Sequence, residues 1–302
     1  MNNVSASRIA VMGAVAYDLI GKTDEVFDSS GPGLNCKVRA QQEFFGGCAG
    51  NIVYGLTQLG LRSLLLSCAG QEDFRRYAQH LGHDLAGVLA VQGAYCAKAN
   101  IITDPNGVQF TAFSPGPTIA AEVWSTHLLG QPIESIDIFV CAPFPEPLMQ
   151  LSLAATKLHN AEILNVWVPG QYADTLTGEQ LAAALPHCDV LVGNAHEIAH
   201  IRKAAAESLR GQTIIETDGA RPVRVVLTDG NQRTLPTPVV SPAVDPTGCG
   251  DAFVAGLMPA LLRAIDDHGL MHWERNINTI LRAGTAQAAR CLRQRGAQTY
   301  GS

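Results

Sequence analysis

The chain has 302 residues, enough for one large α/β domain or two small ones. With 47% hydrophobic and 16% charged residues it can bury a sizeable core. Its formal net charge of −6, without any Lys/Arg cluster, argues against a nucleic-acid surface.

Residues 9–13 predict a buried strand ending in a glycine turn, and the apolar run 9–16 is too short to cross a membrane. A soluble, cytoplasmic protein with no membrane partner is therefore expected. The eight cysteines, at 36, 48, 68, 96, 141, 188, 249 and 291, never come closer than twelve residues, which excludes Cys-x-x-Cys pairs. Reduced, mostly buried thiols fit that spacing.

Residues 17–45 carry scattered Gly, Asp and Pro and predict short strands and loops. A helix is predicted over 51–59, stopped by Gly60, then a strand over 63–67 and a short helix over 74–81. Strands over 95–103 and 108–113 flank Asp104-Pro105-Asn106-Gly107, a hairpin signal. Beyond it helices and strands alternate, with strands over 137–140, 163–166, 189–192 and 213–217 and helices over 147–159, 178–185, 197–209 and 277–292. A late hairpin is predicted over 223–227 and 232–235. This rhythm predicts a mostly parallel sheet covered by helices on both faces. The early β-rich pieces, 15–45 and 95–115, predict a small β lid on a single domain over 1–302. Pro259, inside the helix that follows Asp251, should kink or end it.

The most informative stretch is Asp245-Pro246-Thr247-Gly248-Cys249-Gly250-Asp251, followed by the apolar run 252–258. A Gly-rich turn entering a helix aims backbone N–H groups at one point, and the helix dipole adds positive potential there. A carboxylate beside that anion site is suited to take a proton from a nucleophile attacking the bound anion. Phosphoryl transfer to an alcohol needs that arrangement. Alone, Gly-x-Gly-Asp would read as a capped helix start. The second stretch is Glu43-Phe44-Phe45-Gly46-Gly47-Cys48-Ala49-Gly50-Asn51, where glycines let backbone approach a ligand and Asn51 offers a donor and an acceptor.

Both stretches resemble signatures of the ribokinase (PfkB) family of carbohydrate and nucleoside kinases, in the family's order and about 200 residues apart. The resemblance implies a ribokinase-like three-layer α/β/α body with a small β-sheet lid, and ATP and Mg²⁺ as cosubstrate and cofactor. It makes Asp251 the catalytic base, with Gly248, Cys249 and Gly250 forming the anion hole. Asp18, Gly46, Gly47, Asn51 and Phe113 would bind the acceptor. Asn194-Ala195-His196-Glu197 matches the family's Asn-x-x-Glu, which places Asn194 near the nucleotide phosphates and Glu197 on water around Mg²⁺. Thr217-Asp218-Gly219 matches Thr-x-Gly, so Thr217 and Gly219 join Gly248 and Gly250 in nucleotide binding. Asp245 and Thr247, with Gly296-Ala297, correspond to a monovalent-cation loop, often for K⁺, and Val168 stands where an Asp is common in the family. Gly13-Ala14-Val15-Ala16-Tyr17-Asp18 and Phe113-Ser114-Pro115-Gly116 resemble the bacterial adenosine-kinase-like branch. That implies a nucleoside acceptor, adenosine first, with a sugar or sugar phosphate as the alternative, and a monomer or homodimer.

Two other patterns compete. His196-Glu197-Ile198-Ala199-His200 is a literal His-Glu-x-x-His, which on a helix could hold zinc for a hydrolase through His196 and His200, with Glu207 or Glu216 as third ligand. Residues 16–23 satisfy a relaxed P-loop pattern, but Tyr-Asp-Leu-Ile inside it and acidic residues after it are wrong for a phosphate cradle. Phe110 and Phe113, three apart on one predicted strand, should face opposite sides, one toward the ligand and one toward the core. Trp167 reads as core. A silent binding protein on the same fold is a third reading, which the intact Asp251 opposes.

Overall fold

The computed structural model describes residues 7–27, 35–82 and 85–300. In the first half the chain forms β1 (Ile9–Met12), β2 (Ala16–Thr23), β3 (Val38–Gly46), α1 (Cys48–Gln58), β4 (Leu64–Gly70), α2 (Gln71–Leu81), β5 (Val88–Val91), β6 (Ala97–Thr103) and β7 (Gln109–Ser114). Then α3 (Ala121–Leu129), β8 (Ile138–Cys141), α4 (Leu148–His159), β9 (Leu164–Trp167), α5 (Gly178–Ala184), β10 (Val190–Asn194), α6 (Ala195–Ala205) and β11 (Thr213–Thr217) alternate. The chain closes with β12 (Val223–Val226), β13 (Gln232–Leu235), α7 (Cys249–His268) and α8 (Ile277–Cys291).

Nine strands form one sheet in the order β13-β12-β11-β10-β9-β8-β1-β4-β5. From β11 to β5 all neighbours are parallel, and β12 and β13 are antiparallel at one edge. The inner strands β1, β8 and β9 are buried at every residue, so they read as continuous apolar runs rather than alternations. One face carries Ile52, Leu56, Phe253, Leu257 and Leu281 under α1, α7 and α8. The other carries Trp124, Leu153, Leu181 and Ile198 under α3, α4, α5 and α6. The result is the expected α/β/α sandwich. Trp167 is fully buried, as expected of core.

A second sheet of four strands, β3-β2-β6-β7, is built from residues 16–23, 38–46, 97–103 and 109–114, within the segments expected to be β-rich or one residue beyond. The turn between β6 and β7 is tied by Asp104, whose Oδ1 accepts the N–H groups of Asn106 and Val108 at 2.8 Å. Residues 16–23 are a strand here, not a loop entering a helix, so they cradle no phosphate.

Several expectations change. Strand β5 and helix α3 were not expected: β5 is four residues long, and α3 buries only Trp124 and Leu128, too little for a helical period to show. Helix α7 neither ends at Pro259 nor stops short of His268; its packing along α1 and α8 outweighs the one hydrogen bond proline removes. Phe113 and Phe110 do lie on one strand, but neither is core, being 52% and 47% exposed. The small sheet leaves β7 exposed along its whole length, which is why neither face hides a phenyl ring. All eight cysteines are free, and Cys96, Cys141, Cys188 and Cys291 are buried. Among the described residues no helix is long and apolar enough to cross a membrane.

Candidate active site

In an open parallel sheet, ligands gather outside the carboxyl ends of the strands. Here the residues just beyond or at those ends, Pro143 after β8, Val168 after β9, Asn194 ending β10 and Thr217 ending β11, line one cavity of about 290 Å³. The opposite wall is the start of α7, with Gly248, Gly250 and Asp251.

The α7 start is shaped by glycine where nothing else fits. Gly248 has φ +76, and a Cβ there would lie 2.4 Å from the Ala297 Cβ. Its carbonyl accepts from the Ala252 N–H at 2.8 Å, while the Cys249 N–H closes a turn onto the Pro246 carbonyl at 3.1 Å. Cys249 does not line the cavity, and its N–H is occupied. Among the described residues the N–H groups of Gly248 and Gly250 have no protein acceptor, and both residues line the cavity. Such donors at the positive end of a 20-residue helix suit an anion.

Helix α1 starts against α7. Gly47, its N-cap at φ +85, could carry no Cβ without reaching 2.6 Å from the Ala14 carbonyl. A Cβ on Gly46 would lie 2.2 Å from Asp18 Oδ2, so Asp18 rests on that glycine's backbone. Asn51, one turn into α1, donates from Nδ2 to Asp251 Oδ2 at 2.8 Å. Cys48 lines the same cavity as the Asp251 carboxylate.

Burial pushes the Asp251 carboxyl up to about 7; the bond from Asn51 and the nearby Cys48 side chain work against that, and the charges of Asp18 and Glu197 add to it. Asp18 is pushed up to about 6, by burial and then by Asp245. Glu197 is also held above its ordinary value, chiefly by burial. Three acidic groups therefore share one desolvated neighbourhood, a pattern typical of acid–base sites.

Asn194 and Glu197 cap α6 reciprocally. Asn194 Oδ1 accepts from the N–H groups of His196 and Glu197 at 2.9 and 3.0 Å, and Glu197 Oε2 accepts from the Asn194 N–H at 2.9 Å. Thr217 lines the cavity; Gly219, in the turn beyond at φ +56, does not. Asp245 Oδ1 accepts from the Thr247 N–H and its Oδ2 from the Gly296 N–H, both at 2.9 Å, so this carboxylate ties the turn before α7 to the loop after α8. Phe113 lines a narrower cleft of about 30 Å³ with Val15, Ala97 and Tyr172, and this cleft shares Pro143 and Gln171 with the first.

His196 and His200 do not form a zinc centre. His196 is exposed and pairs with Asp174 at 3.1 Å, and Glu216 is held by Arg202 and Arg224. No three His, Cys, Asp or Glu side chains among the described residues are grouped to hold a metal. The residues missed from sequence are Cys48, Tyr77 and Gln298. Gln298 donates to Asn51 Oδ1 at 2.9 Å and to the Tyr77 hydroxyl at 2.7 Å.

An open α/β sheet with a small second sheet, and a glycine turn opening a helix at the carboxyl edge, define a ribokinase-like protein. The family model of pfkB family carbohydrate kinases matches residues 6–301, and the chain belongs to that family. It is 25% identical over 268 residues to the nucleoside kinase of Methanocaldococcus jannaschii, covering 86% of this chain and 85% of that one. It is likewise 25% identical over 301 residues to the nucleoside kinase of Methanothermobacter thermautotrophicus, covering 96% and 91%. The fold superposes on the nucleoside kinase of Burkholderia thailandensis in complex with inosine with a TM-score of 0.79, at 24% identity over 97% of this chain and 93% of the other.

Proposed function

We propose that the protein transfers the γ-phosphoryl group of ATP to a primary hydroxyl of a nucleoside, adenosine first. The carrying observation is the half-buried Asp251 carboxyl on the cavity wall beside the free N–H groups of Gly248 and Gly250 at the start of α7. In its ionised form Asp251 takes the hydroxyl proton while the oxygen forms a bond to the γ-phosphorus and the bond to the β-phosphate oxygen breaks in line. The Gly248 and Gly250 N–H groups receive the charge that grows on the transferred group. Asn51 holds Asp251 in place through a charge-assisted bond.

The acceptor would lie between Asp18, the Gly46-Gly47 backbone and Asn51, with its base in the cleft under Phe113 and Tyr172. The nucleotide would run from the α7 start past Asn194 and Thr217. Mg²⁺, if bound here, would supply charge neutralisation on the phosphates. Glu197, an oxygen donor on the cavity wall, fits a water-mediated contact to it. Asp245 and Thr247 fit a cation loop less well, because both carboxylate oxygens already accept backbone N–H bonds. The small sheet would act as a lid that excludes water from the transfer.

The names of the two archaeal relatives favour a nucleoside over a free sugar. A panel of nucleosides and sugars with ATP and Mg²⁺, scored by ADP release, tests this. Adenosine or another purine nucleoside should lead. A free sugar or sugar phosphate in the lead would replace the nucleoside reading, and no acceptor-dependent ADP release at all would sink the kinase reading.

A further inference from the structure

A chain of buried hydrogen bonds runs from the acceptor-side glycines to Asp251, and its donor–acceptor order is fixed at both ends. The Tyr77 hydroxyl lies 2.5 Å from the Gly46 carbonyl oxygen, which can only accept, so Tyr77 donates there. The hydroxyl therefore accepts from Gln298, and the Gln298 atom 2.7 Å away must be Nε2. The second proton of that amide goes to Asn51 Oδ1 at 2.9 Å. With its oxygen so engaged, Asn51 must turn Nδ2 toward Asp251, where it meets Oδ2 at 2.8 Å. Amide orientation, usually ambiguous, is thus dictated by a backbone carbonyl. Gln298, Tyr77 and Asn51 are 4%, 0% and 6% exposed, so water does not compete. Gly50 makes room for the junction: a Cβ there would lie 1.9 Å from the Tyr77 hydroxyl and 3.2 Å from Gln298 Nε2.

We propose that Gln298 is a positioning residue: through Asn51 it keeps an N–H donor aimed at the Asp251 carboxylate and so holds the base in its reactive form and place. This deepens the proposed function and rests on Asp251 being the base. Without Gln298 the Asn51 amide can turn over and present its oxygen to Asp251, which favours the protonated, inactive carboxyl. Other groups face the same carboxylate or feel its charge: Cys48 of α1, Asp18 of β2, Glu197 of α6, Cys249 of α7, Cys291 of α8 and Tyr300. Gln298 itself is faced by His80, whose imidazole burial holds below its usual value. None of these supplies the lost restraint on the Asn51 amide.

The test uses Gln298→Met, which keeps the length and removes both donors, with Asn51→Ala and the double variant in the full-length protein. Gln298→Met should lower kcat at pH 7 by about tenfold, move the acidic limb of its pH profile up by about one unit, and leave KM for ATP within about twofold. In the Asn51→Ala background the Gln298→Met change should alter kcat by less than about twofold, because the partner through which it acts is gone. Tyr77→Phe, which removes the anchoring hydroxyl and keeps the ring, should act in the same direction more weakly, and it serves if Gln298→Met does not fold. A carbon-13 NMR titration of labelled aspartates, with Asp251→Asn as assignment, reads the effect without turnover: the Asp251 transition should rise by about one unit. An unmoved Asp251 titration, or effects of the two substitutions that multiply in full, would overturn the role of Gln298. A parent protein inactive on every acceptor would instead sink the kinase reading, and the titration would still decide whether Gln298 governs Asn51.

Discussion

Asn51 Nδ2 and Asp251 Oδ2 meet at 2.8 Å although 200 residues of chain separate them. The contact joins the N-termini of α1 and α7, so the glycine loop before α1 and the glycine turn before α7 are held as one unit. Replacing Asp251 with Asn preserves shape and removes the carboxylate proposed as base. Turnover should fall by roughly 10²–10⁴-fold. ATP affinity measured by calorimetry should stay within about threefold, since the Gly248 and Gly250 donors are untouched. Turnover within tenfold of the parent would remove Asp251 from the role of base.

Because burial pushes the Asp251 carboxyl up to about 7, kcat/KM should rise with pH through the neutral range and level off above it. The same shift has a stability sign. The folded value lies above the unfolded one, so the protonated form favours folding. The penalty for ionising Asp251 is absent below about pH 4, grows between there and about 7, and is complete above that. Asp251→Asn should therefore be more stable than the parent at pH 8, by roughly 1–3 kcal/mol, with no gain at pH 4. Denaturant melts at the two pH values check this, and an equal gain at both would contradict the cause given.

Gly248→Ala should harm both folding and turnover. The left-handed backbone costs a non-glycine residue about 1–2 kcal/mol, and the new methyl would overlap Ala297. Adding Ala297→Gly removes the 2.4 Å overlap and leaves a 2.9 Å approach to the Cα of residue 297 together with the backbone strain, so the double variant should recover part of the lost melting temperature. Full recovery would mean the φ of +76 carries no strain.

Glu197 caps α6, and substitution can separate that role from the proposed one toward Mg²⁺. Glu197→Ala removes its half of the reciprocal cap on α6 and should cost about 1 kcal/mol of stability. Glu197→Gln keeps an acceptor for the Asn194 N–H and should hold most of that stability. Both should raise the Mg²⁺ concentration needed for half-maximal rate. A Mg²⁺ dependence unchanged in Glu197→Gln would leave Glu197 with the capping role alone.

Much of the fold was legible because its causes are local. The glycines at 47 and 248 are demanded by backbone conformation, and the hairpin around Asp104 by turn chemistry. The alternation of strands and helices after residue 115 follows from apolar periodicity. Where periodicity was thin, as in the four residues of β5 or the two buried positions of α3, the elements were not visible. The His196–His200 pattern is a coincidence of spacing, for the opposite reason. Its spacing is local and correct, but a metal centre needs a third ligand from elsewhere in the fold, and Glu216 is engaged by two arginines.

The sequence by itself determined the order of the elements, the two glycine turns and the acid that follows the second, since each depends on a few consecutive residues and their sterics. Tertiary structure alone decided that Cys249 spends its N–H on Pro246, that Gln298 donates to the Asn51 oxygen while the Asn51 amide donates to Asp251, and that the charges of Asp18 and Glu197 reach a desolvated Asp251. Proton affinity and donor orientation depend on which distant groups exclude water and which atoms they leave unpaired, and no short stretch of chain contains that information.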